Sequence, residues 1–172
     1  MPFELACSAF KEGELIPKKH TCEGEDLSPP LRWNHPPAGT RSFALIADDP
    51  DAPGRTWVHW VLYNIPLDLC GLAEGTPTQE ILPNGAQQGL NDSQEIGYGG
   101  PCPPPGKPHR YYFKLYALDC ELALKSRATK AQVVEAMRGH VLAEAQLMGR
   151  FGRYLSGSSL LTLGVMAPPT PI

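Results

Sequence analysis

The chain has 172 residues, 42% of them hydrophobic and 19% charged, which is the size and balance of one ordinary globular domain. A formal net charge of -3 leaves no basic excess to neutralise a nucleic-acid backbone, so neither DNA nor RNA is an expected partner. No apolar run approaches the roughly 20 residues of a membrane helix, and the opening MPFELACSAFKEGELIPKKH lacks the pattern of a signal peptide. The expectation is a cytoplasmic protein without a membrane span.

In chain order, the first strand candidates are weak: Phe3 to Ser8 and Leu31 to Asn34. Stronger ones follow in RSFALIAD, Arg41 to Asp48, and WVHWVLYNI, Trp57 to Ile65, both rich in β-branched and aromatic residues and bounded by Pro or Gly. Leu67 to Gly97 reads as loop, because PNGAQQGLNDS is a run of turn formers. A central strand is expected at HRYYFKLYAL, His109 to Leu118, entered from the stiff loop GYGGPCPPPGKP. TKAQVVEAMR is the one good helix, with Thr129 as N-cap and Gly139 closing its C-terminus. In HVLAEAQLMGRF the residues Val141, Ala143, Ala145, Leu147 and Phe151 share a face at period two, which predicts a strand.

The sum is a mainly β, antiparallel fold with one or two short helices. The five cysteines include no CxxC pair, so free thiols are expected; a Cys7–Cys22 or Cys22–Cys102 bridge is left open to geometry.

Two clusters could carry chemistry. DDPDAP, Asp48 to Pro53, packs three carboxylates into four residues, which repel one another and need cationic partners or water. Alternation along the next strand puts His59 with Val61 and Tyr63. In the second cluster the glycines allow a ligand close to the backbone and the prolines hold the loop still. Period two then puts His109 and Tyr111 on one face and Arg110 on the other, where it is expected to brace an aspartate of the DDPDAP turn. A metal site at Asp49, His59 and His109, or a Cys102 nucleophile, lacks a supporting ligand or oxyanion motif; no metal, cofactor or enzyme activity is expected.

DPDAP, HWVLYNIP and GPCPPPGKPHRYYF, in that order, resemble the two signature regions of the phosphatidylethanolamine-binding proteins, which include the Raf kinase inhibitor proteins and plant flowering regulators. The resemblance runs from about Phe3 to Arg153 and is nearest to the compact bacterial and archaeal branch, through the GHVLAEA to GRF ending. It implies an antiparallel β-sandwich over 1–153, followed by a tail, 154–172, of uncertain structure whose apolar content favours packing. It implies a pocket for a small anion such as phosphate, phosphorylethanolamine or a carboxylate. Carried over by position, the ligand-binding residues are Asp49, Asp51, Pro53, His59, the Gly100 and Pro101 backbone, His109 and Tyr111, with Arg110 as support. Asp49 is expected to favour the protonated imidazoles beside it. A protein-kinase partner and a homodimer are left open.

Overall fold

The computed structural model describes residues 1–153; the expected tail, 154–172, lies outside the described residues. Eight strands and one helix are formed in the order β1 (Glu4–Cys7), β2 (Leu31–Asn34), β3 (Ser42–Asp49), β4 (Trp57–Pro66), β5 (Gly71–Leu72), β6 (Gln87–Gln88), β7 (His109–Leu118), α1 (Lys130–Met137) and β8 (Val141–Phe151). They make a three-stranded sheet, β1-β2-β5, and a five-stranded sheet, β6-β4-β3-β7-β8, and every pairing between these strands is antiparallel. The expected strands are all present. The stretch read as loop adds only the two-residue strands β5 and β6, too short to leave a periodic signal.

The sheets face each other across one core: Leu5, Trp33 and Leu72 from the smaller meet Phe43, Leu45, Trp60, Leu62, Phe113 and Leu115 from the larger. A second core lies on the reverse of the larger sheet, where Val133 and Met137 of α1 pack on Ala44, Ile46, Val61 and Tyr63. The central strand β3 is therefore covered on both faces, and all eight of its residues are buried. The helix starts as expected: the Thr129 hydroxyl accepts from the Gln132 N–H while the Gln132 side chain accepts from the Thr129 N–H. It stops before Gly139, whose φ of 84° lets the chain turn left-handed into β8.

Strict alternation fails in β4. Trp60 pairs with Ala47 and Val58 with Asp48, so His59 is an extra residue with no partner on β3. Beyond this bulge Val61 and Tyr63 face the helix side, together with Val58, and Trp60 and Leu62 face the sandwich core. The expectation that His59 keeps company with Val61 and Tyr63 is thus corrected: its ring lies edge-on to that of Tyr111, with centroids 5.3 Å apart.

The free-thiol expectation is also corrected in part. Cys22 and Cys102 are bridged, their Cα atoms 5.4 Å apart across 80 residues of sequence, whereas Cys7, Cys70 and Cys120 are free. Such bridges persist chiefly in oxidising surroundings, which bears on a cytoplasmic assignment drawn from the lack of a targeting pattern. Because the bridge closes a long loop of the unfolded chain, replacing both residues with Ser is expected to cost about 2–4 kcal/mol. Urea unfolding without reductant measures it, and an unchanged midpoint would mean that the bridge is not formed.

Candidate functional site

The site begins with the three carboxylates at the end of β3, each of which finds a different cation or donor. Asp48, on the helix face, takes Lys130 Nζ at 2.7 Å from the first turn of α1. Asp49, one residue on, points to the sandwich face and accepts from His109 Nδ1 at 2.7 Å, while its other oxygen accepts the Asp51 N–H at 2.7 Å. Asp51 grips Arg110, whose Nη2 donates to Oδ1 at 2.8 Å and whose Nε and backbone N–H donate to Oδ2 at 2.9 Å. This confirms the pairing expected of Arg110 by period two.

Asp49, Pro53, His59, Gly100, His109 and Tyr111 line one cavity of about 490 Å³. Two of the expected residues do not. Asp51 is committed to Arg110 and faces a neighbouring groove with Lys107 and Arg150. Pro101 is not a lining residue, and its carbonyl accepts the Cys22 N–H at 3.1 Å. Nor is the Gly100 N–H free for a ligand, since it donates to Asp26 Oδ1 at 2.9 Å. What Gly100 contributes is closeness: a Cβ there would strike Asp26 Oδ1 and the His20 carbonyl. The rim is tied down further by the Tyr98 hydroxyl donating to the same His20 carbonyl at 2.6 Å and by the Cys22–Cys102 bridge, both of whose residues line the cavity.

Both imidazoles are held through Nδ1, His59 by a carbonyl and His109 by a carboxylate. His59 Nδ1 lies 2.7 Å from the Gly99 carbonyl, an acceptor, so the proton sits on Nδ1 and Nε2 carries the lone pair. Burial pushes the His59 imidazole below its ordinary value, a larger effect than the opposing pull of the Gly99 carbonyl and of Asp49. The expected protonated His59 is therefore corrected to a neutral one near pH 7. His109 instead donates Nδ1–H to the Asp49 carboxylate. Between them stands Tyr111, its ring nearly parallel to that of His109 at 6.4 Å. Burial, with the negative charges of Asp49 and Asp51, raises the Tyr111 phenol far above its usual range, so its hydroxyl is a proton donor. That hydroxyl is buried and has no hydrogen-bond partner among the described residues.

Several lining residues escaped the sequence reading: Cys22, Asp26, Trp57, Asn91 and Glu95. Asn91 lies in the run read simply as turn formers, where it accepts from the Ser93 and Glu95 N–H groups and donates to the Gly97 carbonyl. Asp26, at a positive φ of 59°, belongs to no pattern that sequence could single out. The lining thus has three carboxylates, Asp26, Asp49 and Glu95, and two histidines, but neither Lys nor Arg.

The Arg110 hydrogen bonds hold the Asp51 carboxyl at about 2, well below the usual range. A depressed carboxyl value adds stability that is complete above the unfolded value of about 3.9 and is lost as pH falls towards 2. In Arg110→Met the Asp51 carboxyl is expected to titrate near its ordinary value, and the stabilities of the two proteins to converge in strong acid. A carboxyl-carbon NMR titration checks this, and an Asp51 value unmoved by the substitution would refute the pairing.

The chain as a whole is similar to known proteins. The family model of phosphatidylethanolamine-binding proteins matches residues 6–152. A UPF0098 protein of Methanothermobacter thermautotrophicus is 53% identical over 149 residues, covering 87% of this chain and 98% of the relative; one from Aquifex aeolicus is 47% identical, covering 87% and 88%. Among solved structures, a phosphatidylethanolamine-binding protein homologue of Chlamydia trachomatis superposes with a TM-score of 0.81 at 43% identity, over 88% of this chain and 98% of that one. Escherichia coli YbcL, a member of the mammalian phosphatidylethanolamine-binding protein family, gives 0.82 at 36% identity over 88% of this chain and 99% of that one. With its two facing antiparallel sheets and single helix among the described residues, the chain belongs to the phosphatidylethanolamine-binding protein family.

Proposed function

We propose that the cavity binds a small phosphorylated ligand that also carries a positive charge, of the phosphorylethanolamine type, and holds it without transforming it. The observation that carries this reading is Tyr111, a residue that lines the cavity and whose buried hydroxyl has no protein acceptor among the described residues. A buried polar group left unpaired costs about 1–3 kcal/mol, which an incoming ligand oxygen recovers. His59 and His109 flank it, and neither Nε2 has a partner among the described residues.

The lining chemistry narrows the ligand. A bare dianion meets three carboxylates and no Lys or Arg. A zwitterion fits better: its phosphoryl end sits at Tyr111 and the two imidazoles, and its ammonium end turns to Asp26, Glu95 and the Trp57 ring. A neutral His59 offers a lone pair at Nε2, so it suits a phosphate monoanion, whose remaining P–OH donates to it. The family name points to the same head group. Two features support binding over catalysis: Cys102 is consumed in its bridge, and among the described residues no hydroxyl or thiol bonds either pocket imidazole.

Tyr111→Phe separates the ligand role from a structural one. Since the hydroxyl makes no protein bond, its loss is expected to leave the melting temperature unchanged or raised, while affinity for phosphorylethanolamine by calorimetry falls about tenfold. His109→Ala is expected to weaken binding at least as much. Affinities equal to that of the unsubstituted protein would sink the assignment. The complex holds one proton shared between His59 Nε2 and a phosphate oxygen whose second pKa is about 6. Binding above pH 7 is therefore expected to take up about one proton and to weaken up to roughly tenfold per pH unit. Calorimetry in buffers of differing ionisation enthalpy reads that uptake, and none would mean that the dianion binds.

A further inference from the structure

The 10-residue strand β7 separates the cavity from a second group of chemically active side chains, and at about 3.4 Å per residue the two lie roughly 30 Å apart. His109 opens that strand; Asp119 and Cys120 follow its last residue, and His140 precedes β8 alongside them. The Asp119 N–H donates to the His140 carbonyl at 3.0 Å, and His140 Nδ1 lies 2.8 Å from Asp119 Oδ1. Cys120 is reduced and half-buried, and its carbonyl accepts the Ser42 hydroxyl at 2.6 Å, which fixes its backbone.

One carboxylate oxygen, one thiol sulfur and one imidazole nitrogen thus lie within 4.8 Å of one another. Among the described residues this is the only group of three such side chains that converges so closely; Asp49, His59 and His109 do not. A surface ion pair accounts for Asp119 and His140, at no more than about 1 kcal/mol. The thiol of Cys120, next to Asp119 in the chain, adds a third ligand type to that pair.

We propose that Asp119, Cys120 and His140 bind a borderline transition-metal ion of the Zn²⁺ type. Thiolate and imidazole together select such ions over Mg²⁺ and Ca²⁺, which take oxygen ligands. Metal–ligand bonds of about 2.0–2.3 Å put tetrahedral ligand atoms about 3.3–3.7 Å apart, so side-chain rotation must open the 2.8 Å Asp119–His140 contact and close the widest separation, which is within 4.8 Å. On binding, the sulfur coordinates as thiolate and its proton passes to solvent. The side chains of Asp119 and His140 are 43% and 45% exposed, which gives the ion a path in and leaves its fourth position to water. The segment 154–172 contains no His, Cys, Asp or Glu, so it supplies none of these as a further ligand.

The test is Co²⁺ added to the metal-stripped full-length protein, without thiol reductant so that the Cys22–Cys102 bridge stays intact. A thiolate-to-cobalt charge-transfer band that saturates at one ion per chain, and is displaced by Zn²⁺, is the expected result. The band is expected to vanish in Cys120→Ser, to need at least about tenfold more Co²⁺ in His140→Ala, and to persist in Cys70→Ser. All three positions lie outside the main core, and thermal melts of the metal-free variants verify that they fold. The proposal fails if no band appears, if the band survives in Cys120→Ser, or if it is lost in Cys70→Ser. It fails equally if His140→Ala binds as the unsubstituted protein does.

Discussion

Two neighbouring carboxylates, Asp48 and Asp49, end the most deeply buried strand of the protein, each only 3% exposed. Charges so far from water must be met by partners, or the strand end could not stay buried. Because strand neighbours point to opposite faces, the two need partners in different layers. Lys130 meets Asp48 from the helix, so the same ion pair that neutralises the charge ties α1 to the sheet. His109 meets Asp49 from β7 with a hydrogen bond at Nδ1, so satisfying the second carboxylate also fixes the ring of a cavity-lining histidine. Structure and site thus share one electrostatic requirement, and Arg110 on Asp51 completes it at the surface.

The cavity needs one more device, the bulge at His59. In an unbroken ladder this residue would face the helix side and the pocket would have a single histidine. One extra residue in β4 turns it to the sandwich side, beside Tyr111. The rim is held by groups from distant segments: Asp26 on Gly100, Tyr98 on the His20 carbonyl, and the bridge between Cys22 and Cys102. A wall assembled this way is rigid before any ligand arrives, which lowers the ordering cost of binding. His59, His109 and Tyr111 come to the cavity from the sheet, as does Asp49, whereas the carboxylates Asp26 and Glu95 come from the loops.

The strands were legible where periodicity or β-branched composition is strong. Leu31–Asn34 and His109–Leu118 have the expected limits, and the segment after Gly139 is a strand because its apolar residues recur at period two against β7. The helix start at Thr129 was legible from its capping chemistry. Strands β5 and β6 were not, since two residues carry no period. At the site, Asp49, Pro53, His59, His109 and Tyr111 were legible as residue types next to strong strands. Asp26, Asn91 and Glu95 were not, because loops that reach the cavity across the chain leave no local pattern.

By itself the sequence determined the strands of four residues or more, which face of β7 carries His109 and Tyr111, and that Arg110 lies on the other, because side-chain alternation is a local property of the backbone. Only the tertiary structure decided that His59 joins the pocket face, that burial lowers its pKa, that the Gly100 N–H is taken up within the protein, and that Cys22 pairs with Cys102. Each of these depends on what a second segment brings within a few ångströms: the partner strand that leaves His59 unpaired, the packing that removes water from it, the Asp26 carboxylate that occupies the Gly100 N–H, and a sulfur 80 residues away.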